Sequence, residues 1–177
     1  MMSSNTLATE LKKINLETTE APVKDAWALA YVKYMMESEL MGLSISPTAE
    51  SVFDTSKAVM VTALNGLSTA KTALQGTQLL VAAIKAFWVS VLANAATIWI
   101  PVPTLVPLPV VLPAALLTPA AEQALAISLA SVFTANMTGG LSESDSVDAI
   151  VAVLHPANAG AIVTQNTPPT PTPLTIV

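Results

Sequence analysis

The sequence has no cysteine and no arginine. Without cysteine it has no disulfide framework, thiolate metal site or cysteine nucleophile. All seven basic residues are lysines, and the last of them is Lys85. Because recognition of phosphates and base edges relies on arginine forks and dense basic patches, we expect this protein to bind no nucleic acid.

Charge of either sign is also scarce. Only 11% of the 177 residues are charged, while 53% are hydrophobic, and typical soluble domains carry roughly 25% charged residues. After Lys85 the chain has only four charged residues, which are Glu122, Glu143, Asp145 and Asp148. An isolated globule with so few charged residues would expose much uncharged surface to water. We therefore predict that other chains or lipid cover part of this surface.

Candidate catalytic and metal-binding residues are few. His155 is the only histidine, and the sequence places no nucleophile or orienting partner beside it, so we interpret it as a helix-end residue without a catalytic role. Glu143, Asp145 and Asp148 fall in the first turns of a predicted helix, where the helix dipole accounts for them without a metal ion. We predict a protein that is not an enzyme and that holds no cofactor and no metal.

Helix start signals and apolar periodicity predict an all-α fold, a compact bundle of about five helices. The start signals are capping residues followed by prolines or acidic residues, as at Thr118-Pro119 and Ser142. The core helix is predicted to run from Ser68 to Trp99, and the last helix to end near His155, because the following proline disfavours helical geometry there. The helix after Thr19 carries two apolar stripes, so we expect it to be covered on two sides.

A proline-rich segment over residues 101–119 follows the core helix. Its prolines remove amide donors and exclude a helix interior, which predicts an extended crossover. The residues between these prolines are apolar, so we expect the crossover to lie in a groove, and we expect a second extended segment in the Pro/Thr-rich C-terminal tail. The predicted partner-binding residues of the two segments are Val106, Leu108, Val110, Leu112, Pro169, Pro171 and Leu174.

These patterns divide the chain into five predicted parts along one core. They are an N-terminal arm with a short helix (1–20), a helical core (21–100), the proline-rich crossover (101–119), a C-terminal helical pair (120–155) and the extended tail (156–177).

Residues 86–121 contain no formal charge. A membrane-spanning helix needs ~20 predominantly apolar residues, and only 15 lie between Lys85 and Pro101. Extending the span backward includes Lys85, and extending it forward includes prolines that leave backbone acceptors unsatisfied in lipid. We therefore favour a core helix with a partner-bound crossover, and keep insertion of residues 79–117 into lipid as the alternative.

The C-terminal half resembles small virion proteins of large contractile-tailed, T4-like bacteriophages. The resemblance lies in the order of short motifs: Phe87-Trp88, then the prolines, then Phe133 to Ser142 with its Asn136 and paired glycines, then His155 among small residues. These motifs are short. The resemblance implies residence in a phage particle and implies no catalytic residue.

We therefore expect a structural component of a phage particle, made in the host cytoplasm, with a place in the tail or baseplate favoured over the head. Its partners would be other virion subunits, including copies of itself. Residues 1–16 lack the apolar run of a secretory leader, which favours a cytosolic origin. The alternative is a small membrane-active phage protein, used for lysis or for penetrating the host. Binding of a small apolar ligand in the alanine-rich helical body stays open.

Overall fold

The computed structural model describes residues 2–14, 20–38, 45–46, 49–98, 111–160, 162–167 and 170–176. The fold is the predicted compact all-α bundle, but it has six helices of at least 11 residues, where about five were expected. These are α1 (Ser4–Ile14), α2 (Glu20–Met36), α3 (Glu50–Ala63), α4 (Ala73–Ala93), α6 (Pro119–Met137) and α7 (Glu143–Asn158), and a single turn, α5 (Ala95–Ile98), follows α4.

Local capping explains where several helices begin. The Thr72, Thr118 and Ser142 side chains accept hydrogen bonds from first-turn amides of α4, α6 and α7 respectively. Each of these bonds satisfies a donor that the helix itself leaves unpaired. The predicted starts at Thr118 and Ser142 are confirmed, whereas the core helix begins at Ala73, after a short 3-10 turn at Leu67–Thr69.

The core helix α4 packs against α3 on one side and α6 on another. Its apolar stripes are buried as predicted, and the largest fully buried side chains of the molecule include Phe87 and Trp88. A second layer of contacts joins α1 to α2 and α7, α2 to α3, and α6 to α7. The described helices therefore share one core cluster.

One prediction about an individual helix is wrong, and another holds only in part. The last helix does not end near His155 but continues through Pro156 to Asn158. The second helix packs against both α1 and α3, but its second apolar stripe is incompletely covered, since Val32 packs against the core while Leu29 and Met36 are exposed. Here tertiary contacts, which the sequence pattern does not reveal, decide the helix end and the covered face.

The C-terminal segment is extended, as expected, but it folds back on itself. Strands β1 (Ile162–Thr167) and β2 (Thr170–Thr175) form an antiparallel hairpin in which Val163 lies opposite Leu174. Ile176 follows β2 directly and is fully buried in the core cluster. The end of the hairpin is thereby attached to the helical body.

Candidate functional site

The predicted partner-binding residues fall into three groups. Val106, Leu108, Val110 and Pro169 lie outside the described residues. Leu112 is half-buried and packs against the core cluster. Pro171 and Leu174 lie in β2, where their cross-strand neighbours are Asn166 and Val163. Their role in binding a partner stays a prediction.

A buried carboxamide connects three helices at the C-terminal end of α7. Asn158 Oδ1 accepts a hydrogen bond from Trp88 Nε1 at 2.6 Å. Its Nδ2 donates to the Tyr31 hydroxyl at 3.2 Å and to the Leu154 carbonyl of its own helix at 2.6 Å. The Asn158 side chain is 1% exposed, and these bonds use both of its donors as well as its oxygen. The network is therefore structural, and it holds α7 against α2 and α4.

His155 lies beside this network and does have a side-chain partner. Its Nδ1 is 2.7 Å from the Tyr34 hydroxyl, and the two rings meet edge to face with centroids 5.9 Å apart. Burial raises the pKa of the Tyr34 phenol above its ordinary value, so the neutral phenol persists at physiological pH. A neutral, fully buried phenol is a poor nucleophile, and the pair joins α2 to α7 as a hydrogen bond between helices.

An apolar cleft of about 700 Å³ opens at the other end of the bundle. Residues of five helices line it, together with the turn that precedes α4. Its floor is buried and apolar, and it is formed by Leu11 of α1, Trp27 of α2, Leu80 of α4 and Ile150 of α7. Small-molecule sites are clefts of this order of volume lined mainly by apolar side chains, so this cleft is a candidate binding site.

The mouth of the cleft is more polar than its floor. Lys71, Thr134 and Thr138 lie there and are exposed, as is Met137, whose side chain is 81% exposed. Among the described side chains, no acidic residue lines the cleft. Neither the cleft nor the Asn158 network was predicted from the sequence, since each is assembled from helices far apart along the chain.

The acidic residues of α7 lie near the start of the helix. Asp145 is exposed in the first turn, where its amide donates to the Ser142 hydroxyl and its carboxylate accepts from that hydroxyl at 2.6 Å. Within the part of the chain that the structure describes, no three histidine, aspartate or glutamate side chains converge as metal ligands would.

One helix among the described residues, α4, is long and apolar enough to cross a membrane. Half of its most apolar window is buried inside the helical body. Lys85, in the middle of the helix, forms an ion pair of 2.6 Å with Glu122 of α6. The core helix of a water-soluble bundle has the same length and composition, so these properties alone do not place α4 in lipid.

Comparison with protein-family models, curated proteins and solved structures finds no match to this chain.

Proposed function

We propose that this chain is a non-enzymatic structural component of a contractile-tailed phage particle, placed in the tail or baseplate, and that it acts by packing against other subunits. The resemblance of its C-terminal half to small virion proteins suggests the particle. The observation that carries the packing role is the uncharged outer surface of α6.

The outer surface of α6 has no charged side chain over five turns. The only charged residue of the helix is Glu122, and Lys85 neutralises it. A helix whose outer face stays in water usually carries charged residues on that face. The exposed residues of α6 are instead neutral, and Ile127 is 50% exposed. We call this surface the neutral face; its exposed members include Gln123, Ala124, Ile127, Ser128, Ser131, Thr134, Asn136 and Met137.

The neutral face continues onto α4. Gln78 Nε2 donates to Gln123 Oε1 at 2.9 Å across the two helices, and Val89 of α4 is 51% exposed. Covering this surface with another subunit removes little charge from water, because its one charged pair, Lys85 and Glu122, is already bonded within the chain. This surface suits a permanent subunit contact.

Cysteine labelling tests the proposal cleanly, because the natural sequence has no cysteine. The Ser131→Cys variant places a thiol on the neutral face. The Ser51→Cys variant is its matched control on the exposed side of α3, which also carries Glu50 and Asp54. In the free chain, both thiols should react with a maleimide at similar rates.

In particles purified from a phage that carries these variants, we expect the chain to be present and the Ser131→Cys thiol to react at least about tenfold more slowly than in the free chain. The Ser51→Cys thiol should keep its reactivity. Absence of the chain from purified particles would contradict the placement in a virion. Equal reactivity of the Ser131→Cys thiol in the free and assembled states would contradict packing through the neutral face.

The second candidate is a membrane-active protein that inserts residues 79–117 into lipid, and the length and hydropathy of α4 favour it. Insertion would require α4 to leave α3 and α6, and to carry Lys85 away from Glu122 into an apolar medium. This candidate predicts leakage of dye from lipid vesicles at micromolar protein. The packing proposal predicts that the vesicles stay sealed.

A further inference from the structure

We propose that the apolar cleft binds one free, single-chain amphiphile, with the apolar tail on the cleft floor and an anionic head group beside Lys71. This inference rests on the cleft and not on the proposed role in a particle. The mouth of the cleft shares Thr134 and Met137 with the neutral face, so the tests below use the free chain.

The size and lining of the cleft define an apolar ligand body. Small-molecule sites have volumes of ≈ 300–1,000 Å³, and this cleft has about 700 Å³. Water molecules bind weakly in such a space, because a stably bound water needs two or more polar partners. The floor at Leu11, Trp27, Leu80 and Ile150 consists of three aliphatic side chains and one indole.

The one polar side chain deep in the cleft is already satisfied. Thr77 is 2% exposed, and its hydroxyl lies 2.8 Å from the Ala126 carbonyl and 3.0 Å from the Leu74 carbonyl. It has no donor left for a ligand. The mostly aliphatic floor therefore favours an apolar end of the ligand, since a polar group there would lose its hydration.

The mouth of the cleft favours a negative head group. Lys71 is exposed there, and within the described residues no carboxylate forms an ion pair with it. Helix α4 begins two residues later, so the positive end of its dipole also faces the mouth. Among the side chains that the structure describes, the lining contains no acidic residue, which favours a carboxylate or phosphate over a cation.

A pair of probes with the same tail tests both the tail and the head. Dodecanoate and dodecyltrimethylammonium, each below its micelle concentration, are titrated into the full chain by calorimetry. We expect dodecanoate to bind with one-to-one stoichiometry, and the cation to bind about tenfold more weakly, since one head group is attracted by Lys71 and the other repelled. Absence of dodecanoate binding, or equal affinities of the two probes, overturns the proposal.

Substitutions at Gly76 locate the ligand. This glycine lines the cleft, and a Cβ built there meets Ala70 Cβ at 3.8 Å and Leu67 Cδ1 at 3.9 Å, which are ordinary contacts. The Gly76→Ala variant should therefore fold and bind dodecanoate as the natural chain does. The Gly76→Phe variant should fill the cleft and lose at least tenfold in affinity. Unchanged binding by a folded Gly76→Phe variant overturns the location.

Substitutions that remove or keep the positive charge of Lys71 test its role in binding the head group. The Lys71→Ala variant should bind dodecanoate about threefold to fivefold more weakly, as expected for an exposed ion pair, and the Lys71→Arg variant should keep most of the affinity. Equal affinity of Lys71→Ala and the natural chain overturns the assignment of the head group.

Trp27 gives a local readout of binding, because its fluorescence emission should change when a ligand occupies the cleft. That change should disappear in the Trp27→Phe variant.

The source of the amphiphile is tested with vesicles. Free dodecanoate binding without cosedimentation with phosphatidylglycerol vesicles supports a soluble monomeric ligand. Cosedimentation with vesicles in the absence of any binding to free dodecanoate overturns the proposal in favour of a membrane surface.

Discussion

The side chain of Asn158 has more interhelical partners than its place at the end of α7 suggests. It is nearly inaccessible to solvent, and it bonds at once to an indole on α4 and a phenol on α2. In an apolar interior, each of these groups would cost free energy if left without a partner. Burial raises the pKa of the Tyr31 phenol, while the bond to Asn158 opposes that rise.

We predict that Asn158→Ala lowers the free energy of unfolding by about 2–4 kcal/mol, because it leaves the Trp88 N–H and the Tyr31 hydroxyl without their partner. Urea denaturation followed by circular dichroism measures the change. The matched control is Asn136→Ala on exposed α6, for which a change within ~0.5 kcal/mol is expected. A similar small change for both variants would show that the network contributes little.

A second residue-scale prediction concerns Glu10. Its carboxylate, 10% exposed, forms ion pairs with Lys13 at 2.6 Å and Lys33 at 2.9 Å. Burial would raise the pKa of Glu10, but the hydrogen bonds and charges of the two lysines outweigh burial, so the pKa lies below its ordinary value of 4.5. The folded state therefore binds this proton less readily than the unfolded state does.

It follows that the stabilisation from Glu10 is complete above about pH 4.5 and is lost as the pH falls through the lowered folded pKa. We expect Glu10→Gln to be less stable than the natural chain at pH 7, and the difference to shrink as the pH drops below 4. Parallel urea titrations at pH 7 and in acid measure it. A difference that is constant with pH would contradict this account.

At the scale of elements, the N-caps were predictable and the last helix end was not. The Thr118 and Ser142 caps depend on residues within one turn, which a single sequence displays. The continuation of α7 through Pro156 depends on Asn158, whose amide satisfies the Leu154 carbonyl and binds α4 and α2. The proline removes the donor for the Ala152 carbonyl, four residues earlier, and the tertiary bonds of Asn158 hold the last turn in place despite that loss. They involve residues that the local pattern does not relate.

The start of α6 supplies an element-scale prediction. Thr118 Oγ1 accepts from the Ala121 amide at 3.2 Å. Thr118→Ala should lower the free energy of unfolding by about 1 kcal/mol, while Thr118→Ser keeps the accepting oxygen and should lose only a few tenths. Thermal and urea unfolding of the two variants measure the difference. Equal losses for alanine and serine would assign the effect to the threonine methyl group instead.

The candidate site was less predictable than the fold. Apolar periodicity identified the buried stripes of α4, because burial of one helix face leaves a regular spacing in sequence. The cleft has no such spacing, since Leu11, Trp27, Leu80 and Ile150 come from four separate helices. The only sign of the cleft in the sequence is Gly76, which lines it. This glycine lies near the start of α4, a helix that is otherwise rich in good helix formers.

At the scale of the whole molecule, the C-terminal hairpin is attached through Ile176, which is fully buried. We expect Ile176→Ala to lower the free energy of unfolding by about 2–4 kcal/mol, and Ile176→Val by about 1 kcal/mol, as for other buried aliphatic residues. Denaturation of both variants, with exposed Thr175→Ala as the control, measures this. A loss for Ile176→Ala no larger than that for Thr175→Ala would mean that the body is stable without the hairpin.

Some hydrogen bonds of the core can form only after distant parts of the chain have been synthesised. Trp88 and Asn158 are 70 residues apart, and Tyr34 and His155 are 121 apart. At ~5–20 residues per second of synthesis, the Trp88 indole and the Tyr34 phenol wait for several seconds before α7, which supplies their hydrogen-bond partners, has been synthesised. Prematurely terminated chains that lack α7 leave these core groups without their partners, and such chains should aggregate rather than accumulate.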